Sequence, residues 1–279
     1  MKILFFSQYF WPENFRINEL VSYFKDKYRS IVLTSTPSYP NKNLYKNYKR
    51  KNDRIFKKLE IIRIPVIGRQ NNNIFIILNY FSFIILSFFF GIYVFLKKKF
   101  DVIFIFCPSP ILASIPIIFL NKIFKKKIII WVLDLWPDTV VDLKIIENKM
   151  LINFLKKIIK FIYSNSDLIL AQSKSIKSEI KRLTDTKCVY FPSWSENNIG
   201  RKNKVKTNEL VKKNKKTTRI IFAGNIGESQ SFVTLVKAAN ILKNYKKNIE
   251  WIIIGDGRWK KKLLNLINKK KLNSQIKLI

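Results

Sequence analysis

Histidine is missing from this chain of 279 residues, and with it goes the commonest general base and metal ligand. Only two cysteines are present, Cys107 and Cys188, far apart, which points to a reduced, cytoplasmic compartment. No aspartate-x-aspartate pair of the kind that holds a nucleotide-bound divalent ion occurs, so no metal ligand set is assigned. Zinc-finger cysteines, basic-zipper heptads and the aromatic-glycine signature of an RNA-binding sheet are absent too, which argues against a nucleic-acid partner. Acidic residues are scarce. Against 53 Lys and Arg stand 18 Asp and Glu, a formal charge of +35. That excess reads either as a footprint for an anionic partner such as a membrane surface, or as drift toward Lys, Asn and Ile.

What is there is ample for buried cores: 48% hydrophobic and 14% aromatic residues, in a chain long enough for two domains. The stretch Ile220–Gln230, I-I-F-A-G-N-I-G-E-S-Q, runs from an apolar strand through Gly224, Asn225 and Gly227 into a helix pattern starting near Ser229. A strand, a glycine turn and a helix N-terminus together aim free backbone N–H groups at one point and favour an anion there. The same residues also make a plain βα turn.

Along the chain, M-K-I-L-F-F-S reads as a buried first strand, since its apolar run is too short for a signal peptide and Trp11-Pro12-Glu13 follows. A helix over Asn14–Lys27, strands at Ser30–Thr34 and Glu60–Val66, and a polar, exposed loop over Ser35–Lys58 come next. Ile74–Leu96 carries no charge over 23 residues and ends on Lys97-Lys98-Lys99. It is long enough to span a bilayer. If its flanking strands share one sheet, however, it must return the chain to the same side, as a membrane-contacting or core helix does. Asp101–Phe106 and Lys127–Leu133 are further strands, the second closing on L-D-L-W-P-D. Asp134 and Asp138 therefore sit where open α/β sheets bind ligands, or cap the next helix. Composition shifts over 193–217, a linker. The expected domains are 1–192 and a partial 218–279, where three strands are too few to cover a sheet.

Four stretches carry a resemblance across essentially the whole chain: Tyr9–Glu13 (Y-F-W-P-E), Trp131–Asp138 (W-V-L-D-L-W-P-D), Phe191–Glu196 (F-P-S-W-S-E) and Phe222–Gln230 (F-A-G-N-I-G-E-S-Q). The chain resembles family 4 glycosyltransferases, and within them the N-acetyl-L-fucosaminyl transferases of O-antigen and capsule synthesis. The resemblance implies an α/β GT-B fold, two Rossmann-like domains with parallel sheets, the second incomplete here. It implies transfer of a sugar, with retention and without a bound metal or other cofactor, from a nucleotide-sugar (a UDP-sugar in the family's pattern) to a lipid-linked acceptor. The expected place is the cytoplasmic face of the inner membrane, peripheral or monotopic. By resemblance, Gly224, Asn225, Gly227 and Gln230 line the donor diphosphate, Gly255 and Asp256 lie near the nucleoside, and Glu13, Asn14, Asp134 and Asp138 face the acceptor and reacting sugar. Asp134 is the catalytic candidate. Two departures stand out: the first loop has no glycine, and the family's paired donor-gripping glutamates would lie beyond Ile279. A truncated non-catalytic fragment, half of a split enzyme, and a nucleotide-sugar 2-epimerase are the competing expectations.

Overall fold

Short apolar runs alternating with amphipathic ones build parallel α/β layers. A computed structural model describes residues 1–56, 58–70, 72–142, 144–195, 217–244 and 248–279. The chain divides into two units, Met1–Ser195 and Glu196–Ile279. Most of the linker expected over 193–217 lies outside the described residues.

The first unit holds strands β1 (Lys2–Ser7), β2 (Arg29–Ser35), β3 (Leu59–Ile64), β4 (Val102–Cys107), β5 (Lys127–Val132), β6 (Leu168–Ala171) and β7 (Cys188–Tyr190). Its helices are α1 (Arg16–Phe24), α2 (Asn73–Lys97), α3 (Ile115–Phe124), α4 (Asp138–Asp142), α5 (Lys149–Ser164) and α6 (Lys174–Leu183). All seven strands pair in parallel in the order β3-β2-β1-β4-β5-β6-β7. Building runs outward from β1 through β3, then restarts beside β1 at β4. The order thus reverses between β1 and β4, and the carboxyl ends there form the crevice in which such sheets bind ligands.

Each sheet face has its own core. One, with Phe5, Val32, Phe104 and Trp131, is covered by α1 through Ile17, Leu20 and Val21. The segment after β7 joins it, since Trp194 stacks on Trp131 at 5.6 Å and its indole N–H donates to Glu19. The other face is covered by α2, α3, α5 and α6. Local signals set these helices. Asn148 caps α5 through Met150 and Leu151 N–H, and Ser173 caps α6 through Ile176 N–H.

The second unit holds β8 (Thr217–Ala223), α7 (Phe232–Ile241), β9 (Asn248–Ile254), α8 (Lys260–Lys269) and β10 (Ile276–Leu278). Its three strands are parallel in the order β10-β9-β8. Val236, Ala239, Leu263 and Ile267 of the helices pack on Trp251 and Ile253 of β9. These sheets bear out the α/β expectation.

Two local expectations change. The Ser35–Lys58 loop contains 3-10 turns at Lys42–Tyr45, where Asn41 Oδ1 accepts Asn43 N–H, and at Arg50–Ile55, where Asp53 pairs with Arg63 of β3. The helix expected from Ser229 starts at Phe232 instead. Gly227–Gln230 closes its own turn, Gln230 N–H on Gly227 O and Ser231 N–H on Glu228 O, and Ser231 takes a left-handed φ of 49° before α7.

Candidate functional site

In the first unit the chain leaves β1 through Gln8–Phe15, at the reversal of strand order. This loop holds itself. Glu13 is 1% exposed, and both its oxygens accept backbone N–H groups: Oε1 from Ser38 at 2.8 Å and Tyr39 at 2.7 Å, Oε2 from Phe10 at 3.2 Å. Burial pushes its carboxyl up from 4.5 to about 7, although those three N–H bonds and the charge of Arg63 pull the other way. Glu13 thus faces inward, tying the β1 loop to the β2 loop, rather than standing on the rim. Asn14 beside it is exposed. Arg63 supplies a second tie. It grips Asp53 through Nε at 3.1 Å and Nη2 at 2.9 Å, and donates to the carbonyls of Ser35 and Trp11.

At the end of β5, Asp134 reaches solvent. Enough of its surroundings are protein that desolvation raises its carboxyl above the ordinary value. Trp136 Nε1 donates to Ser109 Oγ at 3.1 Å, which joins this loop to the end of β4. Asp138 opens the short α4 and is exposed. Asp134 and Asp138 therefore lie at the carboxyl edge of the sheet that carries the Glu13 loop.

In the second unit the turns after β8 and β9 zip together. Gly224 N–H donates to Ile254 O at 3.0 Å, Ile226 N–H to Asp256 O at 2.8 Å, and Trp259 N–H to Ile226 O at 3.0 Å. Backbone meets backbone so closely that a Cβ on Gly255, at φ +150°, would lie 1.9 Å from Gly224 O. Gly255 is a packing requirement of the site rather than a free surface. Gly224 and Gly227 N–H are likewise committed, the latter to Asn225 O at 3.0 Å. The N–H groups of Asn225, Glu228 and Ser229 are left without a backbone partner among the described residues. Asp256 folds back on its own turn, its Oδ1 accepting Gly257 N–H at 2.8 Å. Gln230 is exposed, with Nε2 3.3 Å from Ser229 Oγ. The structure so gathers all six predicted donor-side residues around one pair of turns.

Sequence reasoning missed Arg63, Asp53, Ser38 and the bridging Ile226. Ile226 looks like one apolar residue inside a polar turn, and that oddity is the single signal available. The others act through backbone bonds that no residue pattern announces.

Two parallel α/β units of this kind make a GT-B fold. No family model matches the sequence, and no curated protein matches it. Among solved structures, all of the chain aligns with 70% of a sucrose-phosphate synthase from Thermosynechococcus elongatus, at 12% identity and a TM-score of 0.65. It aligns as fully with 73% of a trehalose-6-phosphate structure from E. coli bound with UDP-2-fluoro glucose, at 10% identity and a TM-score of 0.66. It also matches 67% of a lipopolysaccharide outer core galactosyltransferase, WaaB, at 14% identity and a TM-score of 0.56.

Proposed function

We propose that this protein is a retaining glycosyltransferase. In this reading it moves a sugar, an N-acetylated amino sugar, from a UDP-linked donor to a lipid-linked saccharide in surface-polysaccharide synthesis. The observation that carries it is the alignment of both units, end to end, with GT-B structures that include a galactosyltransferase and a UDP-2-fluoro glucose complex.

The chemistry fits the residues. The bond from the anomeric carbon to the diphosphate oxygen breaks, and negative charge grows on the leaving group. Uncommitted N–H groups of Asn225, Glu228 and Ser229, at the end of β8, suit that charge. Gly224 and Gly227 keep the turn narrow, while Gln230, Gly255 and Asp256 flank it. The acceptor oxygen forms the new bond on the face the leaving group vacates, and its proton passes to the leaving phosphate. Asn14, Asp134 and Asp138, at the first unit's strand ends, are assigned to the acceptor, and Glu13 holds the loop that carries Asn14.

Contact with the cytoplasmic face of the inner membrane belongs to the same reading. α2 exposes Ile74, Ile77, Leu78, Phe81, Ile85, Phe89, Tyr93 and Leu96 along one stripe. At about 1.5 Å per residue it is long enough to cross a bilayer. But β3 and β4 on either side of it lie in one sheet, and its Asn79, Phe83, Ser87 and Gly91 are buried against the protein. Phe119 and Ile123 of α3 extend the apolar surface, with Lys122 and Lys125 nearby in sequence. That favours a helix lying in the membrane surface.

The test is incubation with a panel of UDP-sugars and lipid-linked saccharides extracted from bacterial inner membranes, read by mass spectrometry. Transfer from a single UDP-sugar is the expected result. If no UDP-sugar binds at millimolar concentration and none is consumed, the reading is wrong.

A further inference from the structure

Two arginines anchor the first unit's loops, and they differ in one respect. Arg63 has a carboxylate partner in Asp53. Arg69, in the segment between β3 and α2, is half-buried and has none among the described residues. Its Nη1 donates to two phenols, Tyr9 Oη and Tyr80 Oη, each at 3.1 Å. Its guanidinium carbon lies 4.9 Å from the centre of the Tyr39 ring and 5.6 Å from that of Tyr80. The ring faces offset part of the charge. The whole Nε–Nη2 edge stays uncommitted among the described residues, and that edge is the fork matching two oxygens of a phosphate.

The walls of this box are built. Tyr9 is 2% exposed and stacks on Phe15 at 4.8 Å, and both rings meet Tyr39, at 5.1 and 5.2 Å. Tyr39 is 37% exposed, so it forms the side that opens to solvent. The segment carrying Arg69 is strapped to α2: Asn79 Nδ2 donates to Ile67 O at 2.7 Å, and Ile67 N–H to Ser82 Oγ at 3.0 Å.

What a phosphate here would be attached to follows from the neighbourhood. Tyr80 reaches Arg69 from the turn of α2 that also exposes Ile77 and Phe81. Ile74 and Leu78 extend that apolar surface to the helix start, beside Arg69 in the chain. A free phosphate would use only the guanidinium. A phosphorylated lipid would use both the fork and the stripe.

We propose that Arg69, held in its tyrosine box, binds the phosphate of a phosphorylated lipid whose chain lies along the exposed stripe of α2. The proposal deepens the lipid-linked-acceptor reading above and rests on it. Binding is measured without turnover, and UDP titration of the same preparation reports separately on the transferase reading.

The probes are farnesyl diphosphate, titrated into the full chain by calorimetry, and flotation with phosphatidylcholine vesicles with or without phosphatidylglycerol. Farnesyl diphosphate should bind, inorganic diphosphate should compete with it, and farnesol should bind far more weakly. Arg69→Gln should weaken farnesyl diphosphate by roughly tenfold or more, and Arg69→Lys by less, since it keeps the charge but loses the fork. If flotation with anionic vesicles is then unchanged, the proposal holds with a lipid-linked diphosphate as ligand. If Arg69→Gln instead loses flotation and leaves farnesyl diphosphate unaffected, it holds with a bilayer headgroup as the source. It is overturned if neither binding changes in folded Arg69→Gln, or if the unmodified protein binds farnesol as well as farnesyl diphosphate. The wild-type comparison decides even where the variants do not fold.

Discussion

At the scale of single residues the two units are governed by backbone geometry and burial. Glu13 is a carboxyl whose folded value, about 7, lies above the ordinary 4.5. The fold therefore favours its protonated form. That contribution is fully present below pH 4.5 and is lost as pH rises through 7. Across this window the first unit should lose roughly 3 kcal/mol on account of Glu13, the energy equivalent of such a shift. Glu13→Gln should lower stability at every pH, because its amide NH2 must face a backbone donor, but it removes this slope. Urea midpoints of the two proteins between pH 4.5 and 8 should therefore converge as pH rises; parallel profiles would show that the carboxyl is ionised throughout. Gly255 gives a second case. Its φ of +150°, and the mere 1.9 Å that would separate a Cβ there from Gly224 O, leave no room for any side chain. Gly255→Ala should destabilise the second unit by roughly 2 kcal/mol or more, with hydrogen exchange quickening in β8 and β9 and not in the first sheet. Unaltered exchange there would mean the two turns are not held together as described.

At the scale of elements, α2 is the least ordinary. A core helix hides most of its apolar surface, whereas Phe81 and Phe89 are 59% and 61% exposed. Replacing both with Ser should change stability by less than about 1 kcal/mol, because neither is buried. The same change should weaken flotation with anionic vesicles by roughly tenfold or more, at about 1.5–3 kcal/mol per buried aromatic ring. A large fall in melting temperature with unchanged flotation would make α2 a covered helix instead. Such elements were legible in the sequence because each parallel strand is a short apolar run, and α2 a long one. The turns were not. Arg63 lies in a strand like its neighbours, and only the fold brings Asp53, Ser35 and Trp11 around it. Arg69 likewise gains its meaning from Tyr9, Tyr39 and Tyr80, which come from three separate segments. The glycines at 224, 227 and 255 could be placed at strand ends from the sequence. Whether their N–H groups faced a ligand or each other was decided by how the β8 and β9 turns meet.

At the scale of the whole molecule, the two units have separate cores, the first on both faces of a seven-stranded sheet and the second on three strands. A chain with two separate cores can unfold in more than one transition. The residues proposed for the donor side all lie in the second unit, and those proposed for the acceptor side all lie in the first. A ligand that binds only the folded second unit stabilises that unit by about 2.7 kcal/mol at a hundredfold excess over its Kd. UDP should therefore raise the transition assigned to 217–279 and slow hydrogen exchange around Gly224–Gln230 and Gly255–Gly257. It should leave exchange in β1 and β4 of the first unit nearly unchanged. Farnesyl diphosphate should show the opposite pattern, protecting Gln8–Phe15 and the start of α2. Measured on one preparation, the two ligands separate the proposed donor site from the proposed lipid-phosphate site. Protection by UDP confined to the first unit would move the nucleotide away from the β8 turn, and with it the roles proposed for Asn225, Glu228 and Ser229.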